Sequence, residues 1–259
     1  MVFRSIQAII SFLSIIPVAR HSTQIDIYYI AKVMYLFPFV GAIIGSIVGL
    51  FAYAASFYIQ PLLLGLLVTA LLLIITGANH TDALADFADG LMAKGGKEAK
   101  YKAMLDPSVG SVGTAAVVLY IVGMIFAISN FHREGINLLT SLVVAETIAK
   151  YVMVVQAHIG SSAWEGLSSP FTATMKDKRK FLAASAIMIL ILVATGEGYA
   201  SFMSLGGSLL IGIIIYYTSK RSLGGISGDV IGASNELTRL SSLIIFSAAS
   251  ASDWAKHAI

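Results

Sequence analysis

The chain has 259 residues, of which 57% are hydrophobic and only 12% are charged, and its apolar residues fall in long blocks rather than in short alternating patterns. This composition excludes a soluble globular enzyme and predicts an all-α, polytopic integral membrane protein with a single domain, 1–259. The net charge of +3 is too small for a nucleic-acid groove, so we expect no nucleic-acid partner. Cysteine is absent, which excludes thiolate catalysis and cysteine-type zinc sites.

The N-terminal segment is amphipathic and predicts a helix lying at the bilayer interface. Polar residues recur at helical spacing at Arg4, Gln7, Ser11 and Ser14, while apolar residues occupy another face. A cleaved signal peptide is the alternative, but a small-x-small cleavage pattern is missing and the polar face does not suit an apolar signal core.

Windows of about 20 apolar residues predict six to seven membrane-spanning helices. The six firm spans lie near 33–56, 61–78, 113–131, 136–158, 181–196 and 199–218. A weaker seventh candidate lies near 240–256, and whether it crosses the bilayer is left open. No internal repeat of the kind common in transporters is visible.

Lysine and arginine cluster in the N-terminal segment and in the connections after the second, fourth and sixth spans. These residues are Arg4, Arg20, Lys32, Lys94, Lys97, Lys100, Lys102, Lys176, Lys178, Arg179, Lys180, Lys220, Arg221 and Arg239. Because basic loops tend to stay in the cytoplasm, the pattern predicts a cell-membrane protein whose N-terminus and three long loops are cytoplasmic.

The stretch TGANHTDALADFADG, 76–90, places three aspartates behind an apolar run. Asp82, Asp86 and Asp89 are spaced i, i+4 and i+7, which puts them within about 60° of one helix face. Carboxylates so close repel one another, and a magnesium ion shared with substrate phosphates would relieve that repulsion. A solvated acidic face neutralised by nearby lysines is the alternative.

The sequence also predicts where this acidic helix begins and ends and what its histidine does. Asn79 is the predicted N-cap and Gly90 the predicted glycine terminator. His80 lies about 160° from Asp82 around an ideal helix. We therefore expect His80 to act at the edge of the site, as a proton acceptor or a phosphate donor, unless it only caps nearby backbone.

Three further stretches contain candidate polar groups. LGGISGDVIGASNE, 223–236, predicts a glycine-rich phosphate loop in which Asp229 could add an oxygen to the metal, although glycines also serve as plain turns. The stretch 106–113 is interpreted as a helix start capped by Ser108 or Ser111. In the fourth span, Glu146 and Lys150 are i, i+4, which permits a structural ion pair or a lysine facing a phosphate.

Several of these motifs resemble the cobalamin synthase family, the adenosylcobinamide-GDP ribazoletransferases, in order and over nearly the whole chain. The matching stretches are Phe37-Pro-Phe-Val-Gly41-x-x-x-Gly45, His80-x-Asp82-x-x-x-Asp86-x-x-Asp89-Gly90, Met104-Leu-Asp-Pro-Ser-Val-Gly110-x-x-Gly113, Glu165-Gly-Leu167 and Gly224-Gly-Ile-Ser-Gly-Asp229-x-x-Gly-Ala233. Two positions depart from the family pattern: Ala83 replaces a glycine, and Leu105 replaces a basic residue that would be a candidate phosphate contact.

The resemblance implies a magnesium-dependent membrane transferase that joins adenosylcobinamide-GDP to alpha-ribazole, or to its 5'-phosphate, and releases GMP. The catalytic candidates are His80, Asp82, Asp86 and Asp89, and the metal-binding candidates are Asp82, Asp86, Asp89 and Asp229. The substrate-binding candidates are Asn79, Asp106, Lys150, Gly225, Gly228, Asp229 and Glu236. The general base is either His80 or one of the aspartates. Another phosphotransferase using a diphosphate-activated substrate and a cation or metabolite transporter are the rival functions, and homo-oligomerisation is left open.

Overall fold

The computed structural model describes residues 2–18, 26–131 and 135–257, so Arg20 and Arg133 lie outside the described residues. The first helices are α1 (Val2–Leu13), α2 (Ile27–Val33), a 3-10 turn (Met34–Leu36), α3 (Phe37–Ser56), α4 (Pro61–Ile75), α5 (Asn79–Met92) and α6 (Lys97–Met104). The remaining helices are α7 (Ser111–Ser129), α8 (Gly135–Ile159), α9 (Ser168–Met175), α10 (Lys178–Ala194), α11 (Gly198–Leu223) and α12 (Gly228–His257). The predicted all-α class is confirmed.

The predicted spans coincide with helices to within a few residues, but their number is not fixed. Four described stretches are long and apolar enough to cross a membrane: 27–56, α7, α8 and α11. Helices α4 and α5 together would make a fifth span, and they are bent by 91° relative to each other. The weak candidate near 240–256 is the later part of α12, which begins at Gly228. The count of six to seven spans stays a prediction.

The N-terminal segment is helical, as predicted, and buries one face. Ile9, Ile10 and Leu13 of α1 are buried, whereas Phe3 is exposed. The backbone N–H of Ile15 bonds to the carbonyl of Ile75 at the end of α4, 2.8 Å away. Helix α1 therefore packs beside the turn that leads into α5.

Helix α8 forms the centre of the bundle, and α3 approaches it through a glycine stripe. A Cβ atom at Gly41 would lie 2.5 Å from the carbonyl oxygen of Glu146, and one at Gly45 would lie 2.6 Å from that of Leu142. A Cβ atom at Gly49 would lie 3.0 Å from the carbonyl oxygen of Leu139. Small residues spaced by four allow two helix backbones to pack directly, which is how helices gain dispersion energy where water exclusion cannot drive association.

The basic connections lie at one end of the bundle. The ammonium group of Lys97 lies beside Gly224, and Lys176 donates a hydrogen bond of 2.7 Å to the carbonyl of Gly160. The rings of Tyr101 and Trp164 are 4.4 Å apart. Helix α6, the connection 160–167 and the start of α12 therefore meet at the end predicted to face the cytoplasm. Arg239 is an exception, because it is buried within α12 rather than placed in a loop.

We expect Gly45→Ala to destabilise the protein by about 1 to 3 kcal/mol, because the added methyl group would enter the backbone of α8 and overpack the contact. The measurement is thermal unfolding in detergent. Gly206→Ala on α11 is the matched control, because no atom lies within 4 Å of its Cβ position. The control should be unchanged or gain up to about 1 kcal/mol from its helix propensity. Equal melting temperatures for the two variants would contradict the close α3–α8 packing.

Candidate active site

Helix α5 carries the acidic stretch, and a left-handed turn sets its direction. Gly77 and Ala78 have φ values of 66° and 57°, so two consecutive residues reverse the chain between α4 and α5. Ala78, rather than the predicted Asn79, occupies the N-cap position, and it makes no side-chain capping bond. Gly90 does not end the helix, since α5 continues to Met92 and Gly90 instead accommodates the side chain of Met104.

Asp89 accepts two hydrogen bonds from the start of α7. Its carboxylate oxygens accept the backbone N–H groups of Gly110 at 2.7 Å and of Gly113 at 2.8 Å. Helix α7 begins at Ser111 with Gly110 as its N-cap, so the predicted capping by Ser108 or Ser111 is replaced by a carboxylate from another helix. A carboxylate at this position satisfies free amide groups and complements the helix dipole.

The three aspartates on one face of α5, Asp82, Asp86 and Asp89, are called the acidic stripe. Asp82 and Asp86 belong to a cluster of negative charges. Asp82 is exposed and Asp86 is half-buried. Burial, together with the nearby carboxylates of Asp82, Asp229 and Asp89, raises the pKa of Asp86 to about 6. Among the described residues, Asp82, Asp86 and Asp229 form no ion pair with a basic side chain. The cluster therefore lacks a protein cation.

This cluster fits a magnesium ion only if the substrate completes its coordination. Within the described part of the chain, no three histidine, aspartate or glutamate side chains are grouped so as to hold a metal by themselves. Magnesium in transferases is commonly bound by one or two carboxylates, with substrate phosphates and waters as the remaining ligands. The excess of acidic oxygens around Asp86 suits that arrangement. A magnesium site at these residues stays a prediction.

The predicted phosphate loop at 223–236 is a loop only as far as Ser227. Helix α12 begins at Gly228, so Asp229 lies in its first turn, where Ser227 donates to its carboxylate at 3.3 Å. Gly225 is buried and packs closely against the backbone of Ser161. A Cβ atom at Gly225 would lie 2.5 Å from the carbonyl oxygen of Ser161. A single β-bridge joins Ser162 to Ile226 and fixes this turn.

A small-residue contact between α5 and α12 brings Asp229 to the acidic stripe. A Cβ at Gly232 would lie 2.6 Å from the Cβ of Ala83, so the two helices touch at this point. Ala83 is the position at which the family resemblance has a glycine. Here the glycine on the opposite helix provides the space instead.

Four charged side chains are enclosed behind the stripe. Lys150 pairs with Glu146 at 3.2 Å, and Arg239 pairs with Glu236 at 2.6 Å and also with Glu146. Each of the four is at most 1% exposed. Tyr120 of α7 accepts a hydrogen bond from Arg239 at 2.9 Å. Lys150 and Glu236 thus belong to a closed network, and in the structure Lys150 does not face a phosphate site.

The network reaches His80 through Asn235 and determines which ring nitrogen carries the proton. The ammonium of Lys150 can only donate, so the Asn235 atom at 2.8 Å from it is the oxygen. The amide nitrogen of Asn235 then donates to Glu236 at 2.9 Å and to Nδ1 of His80 at 3.3 Å. An accepting Nδ1 carries no proton, so His80 is neutral with its proton on Nε2.

A pocket of about 210 Å³ opens beside His80 and Asp229. Four of the predicted site residues line it: Asn79, His80, Gly228 and Asp229. Asp106 is instead exposed and accepts the backbone N–H of Ser108 in a tight turn, at 2.9 Å. The rest of the lining is mainly apolar, with Phe12 of α1 and Phe171 of α9 among its members.

Sequence reasoning missed Asn235, Arg239 and Tyr120. Glu236 and Arg239 at i, i+3 carried a detectable signal, because such spacing permits an ion pair on a helix. Asn235 and Tyr120 gave no such signal, since the bonds of Asn235 to Lys150 and His80 and that of Tyr120 to Arg239 join different helices.

Over residues 5–247 the chain matches the model of a family described as cobalamin-5-phosphate synthase. The chain belongs to the cobalamin-5-phosphate synthase family. An adenosylcobinamide-GDP ribazoletransferase of Methanocella arvoryzae is 32% identical, over 94% of this chain and 95% of that protein. Those of Methanococcoides burtonii and Citrobacter koseri are 31% and 29% identical, over 92% and 90% of this chain and 89% and 95% of theirs. No solved structure matches the chain. The resemblance predicted from the motifs is confirmed.

In this synthase-family chain, we expect Asp89→Asn to lower the free energy of unfolding by about 0.5 to 2 kcal/mol. This is the usual cost of losing a helix cap. In the amide an NH2 group replaces one of the two accepting oxygens, and it cannot accept the glycine N–H that it faces. Asp82→Asn is the matched control, because Asp82 is exposed and caps no helix. Thermal unfolding of both variants in detergent measures the difference. Equal melting temperatures would contradict the capping role of Asp89.

We also expect His80 of this synthase-family member to occur at neutral pH as the Nε2-protonated tautomer. Nitrogen NMR of protein labelled at histidine distinguishes the two ring nitrogens, and the signal lost in His80→Gln identifies His80. Asn235→Leu removes the amide donor and should abolish the preference for one tautomer. Ser185→Ala is the control and should leave the tautomer unchanged, because Ser185 of α10 bonds to Tyr151 of α8. A proton on Nδ1 in the unaltered protein would contradict the hydrogen-bond assignment.

Proposed function

We propose that this protein is a membrane transferase that joins adenosylcobinamide-GDP to alpha-ribazole, or to its 5'-phosphate, and releases GMP. The observation that carries the proposal is that Asp82 and Asp86 of α5 lie near Asp229 of α12, which lines the pocket, and that none of the three forms an ion pair with a basic side chain among the described residues. Family membership and the names of the relatives supply the substrates.

The reaction is a displacement at phosphorus. The 3'-hydroxyl oxygen of the ribazole attacks the phosphorus attached to the cobinamide side chain, and the bond from that phosphorus to the oxygen of the GMP group breaks. The hydroxyl proton passes to a base on the protein, and GMP leaves with the bonding electron pair. Catalysis of this kind depends chiefly on positioning and on stabilising negative charge.

One or two of the carboxylates of Asp82, Asp86 and Asp229 would hold magnesium together with substrate phosphates, and the ion would neutralise charge on the diphosphate oxygens. His80 is unsuited to accept the hydroxyl proton, because its unprotonated Nδ1 is engaged by Asn235 and its Nε2 already carries a proton. We therefore assign His80 as a hydrogen-bond donor to a phosphate oxygen. The base is then an aspartate of the cluster that the metal leaves free.

Asp89 would contribute by fixing α7 against α5 rather than by binding metal, since each of its carboxylate oxygens already accepts a backbone N–H. The positions of the basic connections support a cytoplasmic active site, where nucleotide-activated substrates are found.

The rival function, ion or metabolite transport, is less well supported. A transporter requires ionisable groups that line a pathway within the membrane. Glu146, Lys150, Glu236 and Arg239 are ionisable and enclosed, but they are paired with one another and at most 1% exposed. The unpaired carboxylates lie at the end of the bundle instead.

The test is turnover by purified protein in nanodiscs supplied with adenosylcobinamide-GDP, alpha-ribazole and magnesium, followed as corrinoid product and GMP. We expect product from the unaltered protein and a loss of kcat/KM on the order of 100-fold in Asp82→Asn and in Asp86→Asn, because each removes a charged oxygen from the reacting centre.

Glu98→Gln is the matched control, since Glu98 is an exposed acid on α6 at the same end of the bundle. It should retain full turnover. Absence of product from folded, unaltered protein beside an active relative would refute the proposed reaction. Normal turnover by both aspartate variants across a magnesium titration would refute the proposed metal site.

A further inference from the structure

The pocket beside His80 and Asp229 has a composition that the phosphoryl-transfer chemistry does not explain. A diphosphate needs hydrogen-bond donors and cations, yet most of this wall consists of aromatic and aliphatic side chains, including Met34, Met153 and Ile231. These three are at most 5% exposed. The wall therefore suits an uncharged, apolar group that lies next to the reacting phosphate.

Three phenylalanines from three different helices form one side of the pocket. The ring of Phe12 is 5.8 Å from that of Phe171 and 6.2 Å from that of Phe37, and Phe37 and Phe171 are 6.2 Å apart. Rings at these distances are in contact with one another, so they form a continuous aromatic surface on which a further flat ring can pack. The packing of α1, α3 and α9 thus creates a site for a planar group.

Other lining residues connect the pocket to the acidic cluster. Gly228, Asp229 and Gly232 of α12 line it together with His80 of α5, and a Cβ at Gly232 would lie 3.5 Å from the His80 ring. Gly228 and Gly232 have no side chains, so a group in the pocket can approach the start of α12 closely. A molecule whose ring entered the pocket would leave its attached sugar beside Asp229.

We propose that this pocket binds the aromatic base of the nucleoside acceptor, the dimethylbenzimidazole of alpha-ribazole. This inference rests on the proposed function, and it identifies which substrate the apolar wall recognises. Phe12, Phe37 and Phe171 would form the wall against which the ring packs, and the ribose would extend toward Asp229 and Asp86, where its hydroxyl meets the phosphorus.

The other groups of the two substrates fit the pocket less well. Guanine presents several donors and acceptors that cost free energy if they are buried without partners. Of the polar side chains in the lining, Ser168 already bonds to Ser162 at 2.6 Å and to the carbonyl of Ile226 at 3.1 Å, and Asn79 is exposed. His80 and Asp229 are assigned to the phosphate and to the metal. A corrin macrocycle is far larger than a cavity of about 210 Å³. A glycosylated benzimidazole is planar and has one free ring nitrogen.

The test compares alpha-ribazole with the corresponding alpha-nucleoside of adenine as acceptors, in nanodiscs, for the unaltered protein, Phe171→Leu and Phe12→Leu. Loss of one aromatic face should reduce kcat/KM for alpha-ribazole about threefold to tenfold. The change should lie in the KM for alpha-ribazole, with kcat and the KM for adenosylcobinamide-GDP retained. The preference for alpha-ribazole over the adenine nucleoside should decrease by a similar factor.

Phe126→Leu is the control, because Phe126 is a 58% exposed phenylalanine on α7. It should leave both acceptors unchanged. An equal loss for the two acceptors, or a rise in the KM for adenosylcobinamide-GDP instead, would overturn the assignment of this pocket to the base.

Direct binding of alpha-ribazole, measured by calorimetry on the same nanodiscs, separates this inference from the proposed reaction. If the unaltered protein makes no product but binds alpha-ribazole more tightly than Phe171→Leu and Phe12→Leu do, the reaction fails and the pocket assignment stands. If product forms but those variants bind alpha-ribazole as the unaltered protein does, the reaction stands and the pocket assignment fails. Displacement of alpha-ribazole by added lipid alone, without any effect of the variants, would identify the pocket as a lipid site and overturn the proposal.

Discussion

The buried ion-pair network that joins α8 to α12 through Arg239 and Glu146 is the interaction on which the rest of the site depends. Each enclosed charge costs several kcal/mol to remove from water, so the two acids and two bases are stable inside only as a matched set. Glu146 accepts from both Lys150 and Arg239, which come from different helices. This requirement fixes how far α12 can slide or rotate along α8. Hydrogen bonds to Tyr120 and, through Asn235, to His80 extend the constraint to α7 and α5.

The fixed register of α12 explains why Asp229 meets the acidic stripe. Asp229 precedes Glu236 by seven residues, so the two side chains lie on nearly the same helix face, about two turns apart. Glu236 faces the enclosed network, and Asp229 lies farther along the same face, at the end of the bundle. The contact of Gly232 with Ala83 then brings α5 close enough for its carboxylates to share one region with Asp229.

The interior network and the aspartate cluster therefore differ in net charge: the first is balanced, and the second is negative. In the interior, acids and bases are paired and their positions are rigid, which suits a structural role. At the mouth, Asp82, Asp86 and Asp229 have no basic partner among the described residues, and that excess is available for a cation and a phosphate substrate. The interior network also gives His80 a defined tautomer. A rigid scaffold behind an unbalanced cluster is the arrangement that positions reacting groups without further reorganisation.

The sequence by itself determined the helical class, the approximate spans and the common face of Asp82, Asp86 and Asp89, because hydropathy and a period of 3.6 residues act within a single helix. It also carried the family motifs. Only the tertiary structure decided what those residues contact. Asp89 bonds to Gly110, the N-cap of α7, which lies 21 residues beyond it, and Lys150 bonds to Asn235, 85 residues away. Local periodicity specifies the face on which a side chain lies but not the helix that packs there, since that depends on the packing of the whole bundle.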